Sequence, residues 1–298
     1  MLKFLKNWTL PLAMFAGAIG YFLLANVTIL EPAKPFVNWL IAVLTPFLIF
    51  AQLLLTFCKI EPKELLPKAW HVWLLSIQAV SSGIIALLLI FCPMEEAYRD
   101  IFEGAMVCLI CPTATAAAVI TGKLGGSAST LTTYTLLSNV LAAIAVPLVF
   151  PLVEPHADIT FVVAFLKILS KVFPLLLAPF FIALLFRYYI PSVHRLLSKY
   201  HGVAFYLWAV ALTIVTGQTV RSLVTAAADV SIEIMIALAG LATCCLQFYF
   251  GKRIGSAYHD RISAGQALGQ KNTVLAIWMA VTYLNPLSSV GPGGFVGS

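Results

Sequence analysis

Two stretches of the chain put hydrogen-bonding and charged groups inside otherwise apolar runs. Residues 263–281 read SAGQALGQKNTVLAIWMAV: the second half suits lipid, while the first half holds two Gly, two Gln, an Asn and Lys271. Gly265 and Gly269, at i and i+4, let another backbone approach closely. Helix packing accounts for these glycines but not for Gln266, Gln270, Lys271 and Asn272. A cation at the centre of a bilayer costs about 2.5–3.5 kcal/mol even on the lenient insertion scale. Lys271 stands about ten residues beyond the polar turn at Asp260 and Arg261. At 1.5 Å per residue that is roughly 15 Å, near the midplane of a layer about 30 Å thick. A side chain so placed is a candidate countercharge or proton carrier.

The second stretch, residues 104–126, reads GAMVCLICPTATAAAVITGKLGG. Pro112 removes one backbone donor and frees the carbonyl of Cys108. Thr113, Ala114 and Thr115 follow. If the helix restarts there, its unpaired N–H groups make an anion site. The alternative is a plain proline kink with the threonine hydroxyls bonded back to the helix. Gln78, Glu103, Thr135, Asn139 and Gln218 are weaker candidates. They line a cavity, or each makes an interhelical hydrogen bond worth about 0.6 kcal/mol. Cys108 and Cys111 form a C-x-x-C, but no second Cys or His pair stands nearby, and no confident metal ligands emerge. The ion-coupling candidates are Lys271, Gln266, Gln270, Thr135 and Gln78.

These residues sit in a chain that lipid must dissolve. Of 298 residues, 61% are hydrophobic and 10% charged, and the mean hydropathy is +0.98. Soluble domains are about 25% charged. Runs of about 20 apolar residues recur, which is the length that spans the hydrocarbon layer, and no strand-like alternation of a barrel is present. The expected class is an all-α polytopic membrane protein. The net charge of +6 is scattered at helix ends and makes no nucleic-acid stripe. The first apolar run, interrupted by Pro11, lacks a cleavage pattern.

Nine spans are expected, near 8–28, 35–58, 70–92, 101–122, 128–153, 172–190, 203–224, 231–250 and 263–284. With a cytoplasmic N-terminus, twelve of the eighteen Lys and Arg fall on the inner side and five on the outer, with Lys271 apart. The positive-inside rule therefore predicts N-in, in a cytoplasmic (inner) membrane. Residues 161–173 carry Lys167 and Lys171 on an apolar helix, which is either an interfacial helix on the outer surface or the start of a long sixth span. The fourth and ninth spans are both rich in helix breakers and are five spans apart. That points to an inverted repeat of five plus five with discontinuous, crossing helices, here 1–153 and an incomplete 154–298 within one transporter domain. After Asn285-Pro286 the chain reads LSSVGPGGFVGS, so a tenth helix is expected to be missing or truncated.

The two interrupted stretches carry a family resemblance. Cys111-Pro112-Thr113-Ala114-Thr115-Ala116, with Val119, resembles the C-P-G-G-T-A-S-N-V segment of the bile acid:sodium symporter family. Gly269-Gln270-Lys271-Asn272-Thr273-Val274-Leu275-Ala276 resembles that family's E-T-G-x-Q-N-S-x-L-A segment, and Asn285-Pro286-Leu287 with Gly291-Pro292 its P-L-A-A-x-P-G stretch. The resemblance implies crossing broken helices and transport of an organic anion with two sodium ions. The departures are specific. The family's sodium-binding Ser-Asn pair falls on Ala117 and Ala118, its glutamate on Ala267 (or Gln266 with a one-residue slip), and its glutamine on Lys271. Thr115 and Asn272 are kept, and Thr135 stands where the fifth helix contributes a threonine.

One carboxylate and two sodium ions sum to +1, and so does one lysine. The expectation is a secondary transporter of a small organic anion, working by alternating access without the usual sodium ions. Residues 113–115, Lys271 and Asn272 would bind substrate. Lys271 would act as a fixed cation or as a proton carrier. The rivals are a sodium-coupled symporter of bile-acid-like anions, a proton-driven, metalloid or auxin-type efflux carrier on the same plan, and a membrane-embedded enzyme or sensor using the C-x-x-C. No cofactor is expected and sodium is doubtful. Besides the substrate, the bilayer is the partner. The oligomeric state, monomer or dimer, is open.

Overall fold

The computed structural model describes residues 8–59, 61–155, 159–199, 203–225 and 230–284. Its helices are α1 Thr9–Asn26, α2 Lys34–Phe57, α3 Ala69–Phe91, α4 Glu96–Ile110, α5 Ala117–Lys123, α6 Ala128–Val153, α7 Phe161–Tyr189, α8 Pro191–Lys199, α9 Val203–Thr225, α10 Val230–Ala257, α11 Arg261–Gly269 and α12 Thr273–Met279. A 3-10 turn, Thr28–Ala33, leads into α2, and a π-helical turn, Ala280–Leu284, follows α12. No strand forms among the described residues.

Seven helices are long and apolar enough to cross a membrane: α1, α2 with its leading turn, α3, α6, α7, α9 and α10. The stretches expected as discontinuous fourth (101–122) and ninth (263–284) spans are interrupted pairs of helices. α4 and α5 have 15 and 7 residues, and α11 and α12 have 9 and 7. None alone approaches the ~20 residues a span needs. The segments resembling the family's last motif, at 285–287 and 291–292, lie outside the described residues, as does any tenth helix.

The sixth span differs from its expected bounds of 172–190. α7 is one helix of 29 residues, so residues 161–173 begin a long helix and do not form a separate interfacial one. A single stripe explains the continuity: Ala164, Ile168, Val172, Leu175 and Leu176 recur at helical spacing and are all buried. Lys171 is thereby carried into a membrane-length helix. The short amphipathic α8 was not anticipated, although Val193, Leu196 and Leu197 have the right spacing; Ser198 ties it to the Cys58 carbonyl at the end of α2 (2.9 Å).

The helices pack as two groups. In one, α1 lies on α9, α2 on α7, and α2 on α9. In the other, α10 packs on α11 and α4, and α3 on α4 and α6. The α6–α7 interface joins them, and α12 reaches across to α2 and α9. Two glycines allow close helix contacts: a Cβ on Gly17 of α1 would run into the Thr213 backbone carbonyl on α9, and one on Gly269 of α11 into the Phe248 ring on α10.

Overpacking a close helix contact costs about 1–3 kcal/mol. Gly17→Leu should therefore lower the unfolding temperature in bilayer discs. Gly20→Ala, whose Cβ would meet nothing within 4 Å, should leave it unchanged.

Candidate functional site

The two interruptions meet. Thr113 and Lys271 face each other in an isolated antiparallel bridge. The Ala114 amide donates to the Gln270 carbonyl and the Asn272 amide to the Pro112 carbonyl, both at 2.9 Å. Two segments that leave the helical ladder thus satisfy one another.

The break in α4 leaves carbonyls that lipid cannot solvate, and each finds a donor. The Cys108 carbonyl, which Pro112 frees, accepts from Gln247 Nε2 of α10 at 3.4 Å. The Leu109 carbonyl accepts from Lys271 Nζ at 3.3 Å. Gln78 of α3 closes the remaining two, donating through Nε2 to Ile110 (2.9 Å) and Cys111 (3.2 Å). Its Oε1 accepts from the buried Tyr134 hydroxyl at 3.1 Å. The half-buried Lys271 ammonium therefore sits at the negative end of the α4 dipole, where a cation is favoured.

Most of the other candidates fall around this crossing, but Gln218 lines a separate cavity and Glu103 pairs with Arg99 at 3.0 Å. Thr113 donates through Oγ1 to the Ala267 carbonyl (2.7 Å), and its amide donates to Ser138 Oγ (3.3 Å). Thr115 donates to Gln52 Oε1 of α2 at 3.2 Å. The Asn272 side chain caps α12 by accepting from the Leu275 amide. Thr135 is bonded back to Leu131 at 3.0 Å. Gln270 contributes its carbonyl, as above. Cys111 donates its thiol proton to the Asn272 carbonyl (3.2 Å), and all six cysteines are unpaired. Among the described residues Gln52 Nε2, Gln266 Oε1 and both polar atoms of Asn139 are buried without a hydrogen-bond partner. A buried amide of this kind costs free energy until water or cargo meets it. Gln52, Ser138 and Gln247 were not singled out in the sequence, since a lone Gln or Ser in an apolar run says nothing of which carbonyl it will cap.

Positions that the resemblance sets against the family's sodium ligands are apolar here. Ala117 and Ala267 are fully buried methyl groups, Ala118 packs against the same apolar cluster, and the Ala267 carbonyl is occupied by Thr113. Among the described residues, no carboxylate stands at the crossing.

A second feature lies apart from it. A cavity of about 940 Å³ runs between α1, α2, α7, α9 and the end of α12. Gly17, Pro46, Leu175, Ile214 and Trp278 make apolar wall, while among the described residues Lys34, Lys171 and Arg221 supply the charges on its lining. None of residues 113–115 or 270–272 lines it.

In comparisons with known proteins, residues 46–226 match the family described as the sodium bile acid symporter family. That region runs from the middle of α2 past the end of α9; it includes the α4–α5 break and stops short of Lys271. No curated protein matches the chain.

Leaving a buried carbonyl unpaired costs about 1–3 kcal/mol. Gln78→Leu strips two carbonyls and the Tyr134 hydroxyl of their partner at once. It should lower thermal stability in lipid more than Gln247→Leu, which removes one long bond. Equal melting of the two variants would show that Gln78 is not the cap of α4.

Proposed function

Because the chain belongs to the sodium bile acid symporter family, a family of membrane transporters, we propose that it is a secondary transporter of a small organic anion that does not use the two sodium ions. The observation that carries this reading is the Lys271 ammonium, bonded to the Leu109 carbonyl at the crossing of the interrupted helices. Ala117 and Ala267, which the resemblance sets against sodium ligands of that family, are buried methyl groups. A fixed cation at the crossing keeps the local charge positive without a bound ion, and positive charge near a broken-helix crossing favours an anion.

The packing supports alternating access. α1 lies on α9 and α2 on α7, while α3, α4, α10 and α11 form the other group. These pairings exchange partners between the two sequence halves, as an inverted five-plus-five repeat requires. Rocking of one group against the other would carry the crossing past the α2–α12 contact. In this mechanism the spare polar atoms of Gln52, Gln266 and Asn139 serve cargo or water in turn. Two of the amides proposed for the anion, those of Thr113 and Ala114, donate within the crossing, so the ammonium rather than the amides bears most of the attraction. The N-terminus is cytoplasmic and the membrane is the inner one, from the Lys and Arg asymmetry.

The test is uptake of a panel of organic carboxylates into liposomes bearing the purified protein. Uptake should be equal with sodium or choline outside, and Lys271→Gln should reduce it at least about ten-fold, the loss typical of unpairing one buried charge contact. A fixed cation makes uptake indifferent to an imposed pH gradient, whereas a proton-carrying lysine makes it follow the gradient. Stimulation by sodium in the wild type sinks the reading.

A further inference from the structure

We propose that Glu103 and Glu154 hold one proton between them beneath the Arg99 guanidinium, and that this proton latches the start of α4 to the end of α6. The latch lies outside the transporter reading and does not depend on it.

Arg99, in the first turn of α4, gathers three elements at the end remote from the crossing. Its Nε lies 3.0 Å from Glu103 Oε1, one turn along α4. The same nitrogen donates to Glu154 Oε1, just past the end of α6, at 2.8 Å. The other two nitrogens donate to the Leu89 carbonyl in the last turn of α3 (3.3 Å) and to the Val153 carbonyl of α6. One guanidinium therefore serves two carboxyl groups and two backbone carbonyls.

The two carboxyl groups are also hydrogen-bonded to each other. An ionised carboxylate only accepts, so this bond requires a proton on one of them. Two carboxylates that share a site resist ionising together, because the second charge forms beside the first. Burial acts in the same direction. Glu103 is 8% exposed, and a charge so placed must be fully paired or be neutralised. The Glu154 side chain is 30% exposed, so water reaches the pair from its side.

The surroundings add negative charge. Asp100, just outside the expected span, has its carboxyl held above the usual carboxylate range by burial, and then by Glu96 and Glu154. The charged groups around Glu103 are Glu154, Arg99 and Asp100. Of the elements packed against α4, α10 carries Glu233 in its first turn, α3 is followed by Cys92, and the π-helical turn carries Tyr283. α7, which packs on α6, carries Lys167 and Lys171. With the proton bound, Arg99 and the pair are neutral together. With it lost, the same three groups carry a net negative charge, and the bond between the carboxyl groups is gone. α4 runs from this latch to the Leu109 carbonyl that Lys271 caps, so the proton fixes one end of the helix whose other end meets the crossing.

The test is infrared difference spectroscopy of the full chain in phosphatidylcholine discs, from about pH 6 to about pH 9. The wild type should show the carbonyl band of one protonated carboxylic acid at neutral pH, and lose it as the pH rises. Glu103→Gln and Glu154→Gln should each abolish the band, since either amide donates to the remaining carboxylate without a proton. Asp100→Asn should keep it. Melting temperature gives a second readout. Carboxyl groups of the unfolded chain titrate at about 4, so at neutral pH unfolding releases the proton and stability falls as the pH rises. The wild type should lose roughly 3 °C per pH unit over that range, and both glutamine variants should lose this slope. A wild type without the band, as when a cation from α7 takes the place of the proton, overturns the proposal. A band that survives either glutamine variant places the proton on one carboxyl alone, and a band lost in Asp100→Asn assigns it to Asp100; each overturns the sharing. A melting slope unchanged in both glutamine variants overturns the latch. All of these are read without cargo, so the transporter reading stands or falls separately.

Discussion

Every polar backbone group of this protein that lies in hydrocarbon must find a partner inside the protein, because lipid offers none. A continuous helix meets that demand by itself, and an interrupted one does not. The chain interrupts two helices and brings the interruptions face to face, so that Ala114 and Asn272 donate across the gap to Gln270 and Pro112. What remains is the ragged end of α4, and three long side chains from α3, α10 and the crossing itself close it. The rest of the architecture follows from this arrangement. α3 and α10 must flank α4 to deliver Gln78 and Gln247, and α11 must lie close to α10, which Gly269 permits against Phe248.

The same constraint gives Lys271 two roles. As a cap on the Leu109 carbonyl it is part of the structure, and as a charge at the end of a helix dipole it is part of the electrostatics. Bound ions supply charge at a crossing of this type but cannot be written into a sequence, whereas an ammonium can. An ion bound from solution ties the energetics of the crossing to its concentration outside, and a covalently attached cation does not. Among the described residues no carboxylate stands at the crossing, and a glutamate beside Lys271 would neutralise it. Charge also appears in the cavity between α1, α2, α7 and α9, whose lining includes Lys34, Lys171 and Arg221. Crossing and cavity have no lining residue in common, yet α12 belongs to both: its first turn is capped by Asn272, and Trp278 near its end forms cavity wall. One short helix therefore connects the part that carries the built-in charge with the part that holds space.

Much of this was legible before any coordinates. Apolar runs of spanning length announce lipid because few soluble cores hold so little charge. Gly, Pro and amides in the middle of such a run announce a break, since each removes or competes for a backbone bond. Lys271 stood out because the free-energy cost of a buried ammonium needs a compensating partner. By contrast Gln78 reads as an ion-coupling candidate or as one interhelical hydrogen bond, not as the cap of two particular carbonyls, and Lys171 as part of an interfacial helix or of the start of a span. Periodicity places a residue on a face of its own helix but not beside a particular carbonyl of another. The reading of residues 161–173 stayed divided for the same reason: both an interfacial helix and the start of a span are amphipathic, and only packing against α6 and α2 shows that the stripe continues through Pro174 and Pro179.

The sequence by itself determined that the protein is helical, that it lives in lipid, and that two places depart from helix with a lysine in one of them. Those properties depend on local composition and on spacing along the chain. The tertiary structure alone decided that the two departures pair as a bridge, that the lysine's nitrogen reaches Leu109, that glutamines from distant helices seal the break, and that Lys171 looks into a cavity. Each of these joins groups far apart in sequence, some more than 130 residues apart, through hydrogen bonds a few ångströms long. No propensity or periodicity encodes such a meeting; it exists only once the helices have packed.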